Sequence, residues 1–199
     1  MIGSSGTSQE RVRRLTAEAI GTGLLVAAIV GSGIQSDQLS NGNRAIALLG
    51  NTLGSVAMLI VLIVVWGPVS GAHFNPIVTF SAWFENRCGR GEFLAYIASQ
   101  IVGGLAGVAL AHFMFGYALW TPGVQERSGA GVFASEVVAS FVLLMTIESC
   151  RRRNPNALPA AVGLTIAAGY WFTSSTSFAN PAVTIARALT TTFSGIRPV

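Results

Sequence analysis

Long apolar runs alternate with short polar stretches along most of the chain. The first two runs, LTAEAIGTGLLVAAIVGSGI and AIALLGNTLGSVAMLIVLIVVW, each approach the roughly 20 residues that a helix needs to cross the hydrocarbon core of a bilayer. Three later runs have the same character. The pattern predicts five spanning helices, at about 15–34, 45–66, 93–117, 132–149 and 158–172.

Two shorter stretches, 67–84 and 173–193, are too broken by Gly, Pro, Ser and Thr to span. Each contains an Asn-Pro pair, Asn75-Pro76 in the first and Asn180-Pro181 in the second. Asn is a favoured N-cap, and Pro is favoured at the first helical position. We therefore predict that each stretch enters the membrane as irregular chain and continues as a half-length helix.

The same order of elements occurs twice. SGAHFNPIVTFSAWF resembles STSFANPAVTIARAL, and LTAEAIGTGLLV resembles FASEVVASFVLL, so that Glu18 matches Glu136. Three spans per repeat would give the two copies opposite orientations. Inverted repeats with interrupted segments at matching positions predict a site at the midplane between them.

Composition supports a membrane protein, since 51% of the residues are hydrophobic and only 10% are charged. A soluble domain has roughly a quarter charged residues. Most of the Arg residues fall on one face if the stretch 67–84 dips in and returns, and the positive-inside rule then predicts a cytoplasmic N-terminus. We expect a multi-pass protein of the cell (inner) membrane in contact with the lipid bilayer, with no nucleic-acid partner.

The two Asn-Pro pairs suggest a pore. Irregular backbone at membrane depth is tolerated where it lines a wet cavity or is buried in protein. Two helix N-termini facing one path would repel cations and protons, while the Asn amides donate to a neutral solute. The backbone expected to line this pore comprises Gly71, Ala72, His73, Phe74, Thr176, Ser177, Phe178 and Ala179.

Taken together, SGAHFNP, FANPAVT, AEAIGTGLLV and SEVVASFVLL resemble the aquaporin (major intrinsic protein) family. The resemblance implies an all-α, aquaporin-like inverted repeat with five visible spans and two re-entrant half-helices. It implies one channel domain over 1–199, with repeat one at about 11–117 and repeat two at about 131–199. It also implies a homotetramer that catalyses no reaction. We find no nucleophile with a base, no metal cluster, no phosphate loop and no cofactor motif.

Glu18 and Glu136 are carboxylates within apolar helices, where charge is expensive. They could form a proton relay or an enzyme site, or they could accept hydrogen bonds from the re-entrant loops. The resemblance implies this bracing role. His73 should face the cytoplasmic vestibule, as a pH gate or in a structural hydrogen bond.

The resemblance also implies the pore motifs Asn75, Pro76, Ile77 and Asn180, Pro181, Ala182, where Ile77 replaces the usual Ala. It places the selectivity filter at Ser55, Tyr170, Ser177 and Val183, with Gly169 and Ala168 as alternatives to Tyr170. Most members have Arg where this chain has Val183. Without a fixed cation the filter should be wider, which favours an aquaglyceroporin-like pore for glycerol, urea or a neutral hydroxide such as arsenous acid.

Two departures complicate this interpretation. Arg187 lies one turn after Val183 and could supply a displaced charge, although extension to the interface is the expected arrangement. The family has a sixth spanning helix after the second half-helix, whereas this sequence ends at Val199, so repeat two is expected to be truncated. An ion-coupled secondary transporter and a non-conducting family member remain the alternatives to a channel.

Overall fold

The computed structural model describes residues 7–198, and the regular structure in this range is helical. Residues beyond that range, within the predicted domain 1–199, lie outside the described part. The helices are α1 (Ser8–Leu39), α2 (Arg44–Ser70), α3 (Pro76–Phe84), α4 (Arg90–Phe115), α5 (Ala130–Arg153), α6 (Leu158–Phe172) and α7 (Pro181–Arg187), with a 3₁₀ turn at Pro155–Ala157 before α6.

Four of these helices, α1, α2, α4 and α5, are long and apolar enough to cross a membrane. The fifth predicted span, α6, matches the predicted range 158–172 but has only 15 residues. At 1.5 Å per residue it is about 22 Å long, less than the roughly 30 Å of a hydrocarbon core. The fifth helix is thus present at its predicted position but is shorter than the other four, because the chain leaves α6 at Thr173 to begin the second irregular approach.

Local sequence signals set several helix ends. Thr7 and Glu10 form a capping box at the start of α1, and Asn43 caps α2 through its side-chain oxygen. The left-handed Gly71 ends α2 at φ 88°. The helix therefore continues four residues beyond its predicted end, and the irregular approach begins at Gly71.

The first repeat is held together by a close helix crossing. Helix α1 packs most extensively on α4 and on α2. A Cβ atom at Gly103 or Gly107 of α4 would overlap the α1 backbone at Ala19 and Gly23. Small residues four apart allow such an approach between membrane helices, where van der Waals packing replaces the hydrophobic effect.

Ion pairs join the Arg-rich ends of the helices at one end of the bundle. Arg14 of α1 lies 3.2 Å from Glu92 of α4, and Arg151 of α5 lies 3.0 Å from Glu85, just after α3. Helix α3 therefore returns to the end from which its segment entered, as the charge distribution predicts.

Candidate functional site

The two loops that precede α3 and α7 share an unusual backbone. Gly71, Ala72 and Phe74 have positive φ values of 88°, 48° and 47°. Their counterparts in the second repeat, Thr176, Ser177 and Ala179, have φ values of 60°, 52° and 43°. A left-handed residue other than Gly costs on the order of 1–3 kcal/mol and persists only where its surroundings enforce it. The repeat therefore extends to three matched left-handed positions in each loop, of which all but Gly71 are strained.

Asn75 and Asn180 cap their own helices and bridge to the opposite loop. Asn75 Oδ1 accepts from the amide of Ile77 at 2.9 Å, and Asn180 Oδ1 accepts from the amide of Ala182 at 3.1 Å. Asn75 Nδ2 donates to the carbonyl of Ala179 at 2.7 Å, and Asn180 Nδ2 donates to the carbonyl of Phe74 at 2.8 Å. The two half-helices thus begin side by side, with their N-termini at one point.

These bonds change the predicted role of the loop carbonyls. The carbonyls of Phe74 and Ala179 each accept one hydrogen bond from the opposite Asn amide, so one of the two lone pairs of each oxygen is engaged. Each Asn amide has two N–H donors and uses one of them in this bridge. The second donor of each amide remains for a solute, because Asn75 and Asn180 both line the adjoining cavity.

Glu18 of α1 holds the first loop from within the bundle. Its carboxylate accepts from the backbone amides of His73 and Phe74 at 3.0 and 2.7 Å. It also accepts from Ser70 Oγ at 2.6 Å and from Gln100 Nε2 at 2.8 Å. The side chain is fully buried. Charge-assisted bonds to consecutive amides supply the constraint that the left-handed loop requires.

Glu136 of α5 makes the matching contact in the second repeat. It accepts from the amides of Phe178 and Ala179 at 3.0 and 2.7 Å. Ser70 Oγ and Ser175 Oγ also play matching parts, since they accept from the amides of Ala72 and Ser177. Both predicted carboxylates therefore contact the loops, and the partners of each within residues 7–198 are hydrogen-bond donors.

A cavity of about 260 Å³ runs past the two asparagines. Its lining includes residues of both loops, namely Gly71, Ala72, His73 and Phe74 of the first and Ser177 and Phe178 of the second. Apolar side chains of the helices also line it, among them Leu25, Leu59, Ile63, Leu143, Val162 and Ile166. The cavity therefore presents both hydrogen-bonding groups and hydrocarbon.

The four predicted filter residues, Ser55, Tyr170, Ser177 and Val183, all line this cavity. Of the three candidates on α6, Tyr170 is the one whose side chain reaches it. Gly169 packs against Ser177 instead, since a Cβ atom there would overlap the Ser177 side chain.

Several predicted positions do not line the cavity, namely Pro76, Ile77, Thr176, Ala179, Pro181 and Ala182. The Asn-Pro motif residues after each asparagine begin the half-helices; Pro76 and Ala182 are buried, Ile77 is half-buried and Pro181 is exposed. Thr176 is turned away, and its hydroxyl accepts from Arg127 Nη1 at 3.0 Å. Arg127 lies in the loop between α4 and α5, and burial lowers the pKa of its guanidinium.

The histidines are held by hydrogen bonds. His73 lines the cavity, and its Nδ1 lies 3.1 Å from Thr79 Oγ1. His112 is fully buried on α4, and its two ring nitrogens contact the carbonyl of Ala118 and Thr190 Oγ1.

Charged residues occur at both ends of the cavity. Arg187 is only 3% exposed and lines the cavity near Tyr170, so the expectation that it extends to the interface is wrong. At the other end Arg87 and Arg151 line it, joined to Glu85 and Glu148. The sequence predicts that these two Arg share one end of the bundle, but it does not reveal their place at the cavity, because their partners are distant in sequence.

Known proteins match this chain over most of its length. The family described as Major intrinsic protein matches residues 5–178. The chain is 50% identical over 186 residues to Aquaglyceroporin AqpS of Rhizobium meliloti (strain 1021), covering 94% of this chain and 79% of that protein. It is 29% identical over 171 residues to Aquaporin Z of Photorhabdus laumondii, covering 78% of this chain and 73% of that protein.

A solved structure shares the fold. The X-ray structure of the aquaglyceroporin from Plasmodium falciparum superimposes with a TM-score of 0.67 at 21% sequence identity, covering 88% of this chain and 79% of that one. The fold and the paired half-helices define a multi-pass helical membrane protein of the channel class. The chain belongs to the major intrinsic protein family, whose members are channels and not enzymes. The predicted family, fold class and lack of enzymatic activity are confirmed.

Proposed function

We propose that this protein is a passive transmembrane channel for small uncharged solutes, namely water and glycerol, and that it excludes ions and protons. Urea and neutral metalloid hydroxides such as arsenous acid are further candidate solutes. The observation that carries the proposal is the pair of asparagine amides, Asn75 and Asn180, beside each other at one cavity.

The electrostatics of the two half-helices favour neutral solutes. Each helix N-terminus carries about half a positive charge from its aligned peptides. Helices α3 and α7 begin at Pro76 and Pro181, beside the same point of the cavity. A cation or a transferred proton would meet both positive ends after losing its hydration. A neutral hydroxyl can accept a hydrogen bond from the free N–H of either amide.

The cavity has both polar and apolar lining, which favours a polyol as a solute in addition to water. Glycerol presents both hydroxyls and C–H groups, which suit a cavity lined by the two loops and by apolar helix side chains. The proposed filter of Ser55, Tyr170, Ser177 and Val183 has hydroxyl donors and an apolar Val in place of a cation. The 50% identical relative is itself called an aquaglyceroporin, which supports the same solute class.

We further propose a homotetramer with one pore per subunit, in the cell (inner) membrane, with a cytoplasmic N-terminus. The arginines gathered at the end of the bundle that contains Arg14, Arg87 and Arg151 support this orientation by the positive-inside rule. The exposed apolar side chains of α2 and α5 face either lipid or neighbouring subunits.

Stopped-flow light scattering on reconstituted protein tests the proposal. Vesicles are mixed with impermeant sucrose, glycerol or urea, and shrinkage and reswelling rates are compared with those of protein-free vesicles. We expect faster water efflux and faster glycerol reswelling. If water efflux and glycerol reswelling both occur at the rates of empty vesicles, the protein is non-conducting.

The matched variant removes the central pair of amides and keeps the branched shape of the side chains. Asn75→Leu with Asn180→Leu retains the number of side-chain heavy atoms but deletes both donors and both N-caps. We expect glycerol reswelling to fall to the protein-free rate. Flux unchanged in this variant would show that solutes do not pass the two asparagines.

A further inference from the structure

Arg187 breaks the symmetry between the two half-helices. The position that corresponds to it in the first repeat is Ala82, which is fully buried in helix packing. Arg187 is the last residue of α7 and lies one turn beyond Val183, about 5.4 Å further from the midplane. It lines the cavity together with Tyr170 and Ser177. A cationic side chain therefore lies beside the proposed filter, although the filter position Val183 is itself uncharged.

The Arg187 side chain is fixed from two sides. Its Nε donates to the carbonyl of Ser194, and its guanidinium stacks 3.8 Å from the ring centroid of Phe178. The carbonyl of Arg187 accepts from the amide of Ile196 at 3.1 Å. A guanidinium held by a planar ring and a carbonyl loses little further freedom when it binds a solute.

The terminal nitrogens of this guanidinium are free to meet a solute. Among residues 7–198, neither Nη1 nor Nη2 of Arg187 donates a hydrogen bond to protein, and no carboxylate lies within ion-pair distance. Both nitrogens keep some accessible surface. A buried cation without a counter-charge is expensive in a membrane protein unless it faces water. Its open side is the cavity.

We propose that Arg187 is the fixed cation of the selectivity filter, displaced outward by one helical turn from Val183. The inference rests on the proposed channel function and specifies how the same pore selects solutes. The guanidinium repels cations at the mouth nearer Tyr170, and its Nη groups donate to hydroxyl oxygens of a polyol. The guanidinium lies nearer the mouth of the pore than Val183. It therefore excludes cations without narrowing the pore at Val183 to the width of a water molecule.

A set of four proteins, reconstituted at equal density, tests this role. Glycerol reswelling is measured beside cation leak, the latter with a KCl gradient and a potential-sensitive dye. For Arg187→Met we expect the ratio of K⁺ leak to glycerol flux to rise by about tenfold or more, because a charge at filter distance sets the barrier for cations. Arg187→Lys should keep the leak close to that of the parent.

Arg127→Met is the matched control, since Arg127 lies 5.5 Å from the same Phe178 ring but does not line the cavity. Its ratio of leak to glycerol flux should match that of the parent. An equal rise in both Met variants would show that loop packing is responsible, and would overturn the proposal. So would an unchanged ratio in Arg187→Met.

The exchange variant Val183→Arg with Arg187→Val covers the case in which Arg187→Met does not fold. It returns the cation to the level of Val183. We expect cation exclusion to be kept while glycerol flux falls relative to water flux. Unchanged glycerol-to-water selectivity in the exchange variant would contradict the displacement. If the parent conducts no glycerol at all, the proposed function itself fails, which the same vesicles reveal.

Discussion

The two re-entrant loops have the same backbone but unequal support. Glu18 in the first repeat is fully buried and accepts from two backbone amides and two side chains. Glu136 in the second is partly exposed and accepts from two backbone amides, with no side-chain donor among the described residues. The pair of backbone amides is common to both loops, so we expect it to define their conformation, and we expect the side-chain donors to add stability to the first copy.

The cause of the difference is the helix that covers each carboxylate. Helix α4 lies across α1 and brings Gln100 to Glu18, while Tyr96 donates to the carbonyl of Ser70 at 2.9 Å. Within residues 7–198, α5 packs mainly on α6 and its 3₁₀ turn. Glu136 therefore lacks the second layer of donors that α4 supplies in the first repeat.

The largest expected effect comes from removing the carboxylate that supports each loop, Glu18 in the first repeat and Glu136 in the second. Glu18→Ala leaves four donors unmet in a dry interior, and each unmet buried donor costs about 1–3 kcal/mol. Glu136→Ala leaves two unmet donors nearer to solvent. We expect the melting temperature in detergent, followed by tryptophan fluorescence, to fall clearly further for Glu18→Ala.

The exposed carboxylate Glu126, in the loop before α5, provides the control, and Glu126→Ala should melt with the parent. Equal losses for Glu18→Ala and Glu136→Ala would show that the extra donors of the first repeat add nothing.

The second prediction concerns the apolar position that the two half-helices share. Val78 and Val183 correspond, and both line the cavity. Val183→Arg adds a second cation beside Arg187 and narrows the pore, so glycerol reswelling should fall about tenfold, equivalent to roughly 1.4 kcal/mol of barrier. Water efflux should fall much less.

Val183→Leu separates size from charge in this experiment, because it adds volume alone. It should lower glycerol flux only slightly. Equal loss of water and glycerol flux in Val183→Arg would count against the assignment of Val183 to the filter.

The smallest expected effect comes from removing one side-chain donor to Glu18, so that its contacts resemble those of Glu136. Gln100→Leu removes the donor to Glu18 and a 2.9 Å hydrogen bond to Thr79, but it also removes Gln100 Oε1, which is buried without a partner. The net cost should be about 1 kcal/mol. The melting temperature should lie between those of the parent and Glu18→Ala, with glycerol flux retained. A melting temperature as low as that of Glu18→Ala would instead make Gln100 the principal support.

Much of the architecture could be predicted because its signals are local or repeated. The apolar runs locate the long helices, and the predicted α6 coincides with the helix Leu158–Phe172. Asn75 and Asn180 are recognisable as N-caps because the following Pro fixes the first helical position. Their meeting across the pore could be inferred from the inverted repeat alone.

The missed features depend on contacts that are distant in sequence. The burial of Arg187 requires the carbonyl of Ser194 and the ring of Phe178, and a one-dimensional pattern cannot show that both converge on one guanidinium. The pairs that join Arg87 and Arg151 to Glu148 and Glu85 depend on where α3 returns relative to α5. The carbonyls of Phe74 and Ala179 accept hydrogen bonds because both residues have left-handed φ values, which residue propensities do not predict.

Neutral solutes are proposed to pass the two adjoining asparagine amides passively, without ion coupling. Glycerol influx and internal pH, measured together in vesicles with an imposed proton or sodium gradient, distinguish this from coupled transport. We expect the glycerol rate to be the same with either gradient and with none, and internal pH to drift as in protein-free vesicles. A glycerol rate that follows the gradient, or a glycerol-dependent change in pH, would contradict it.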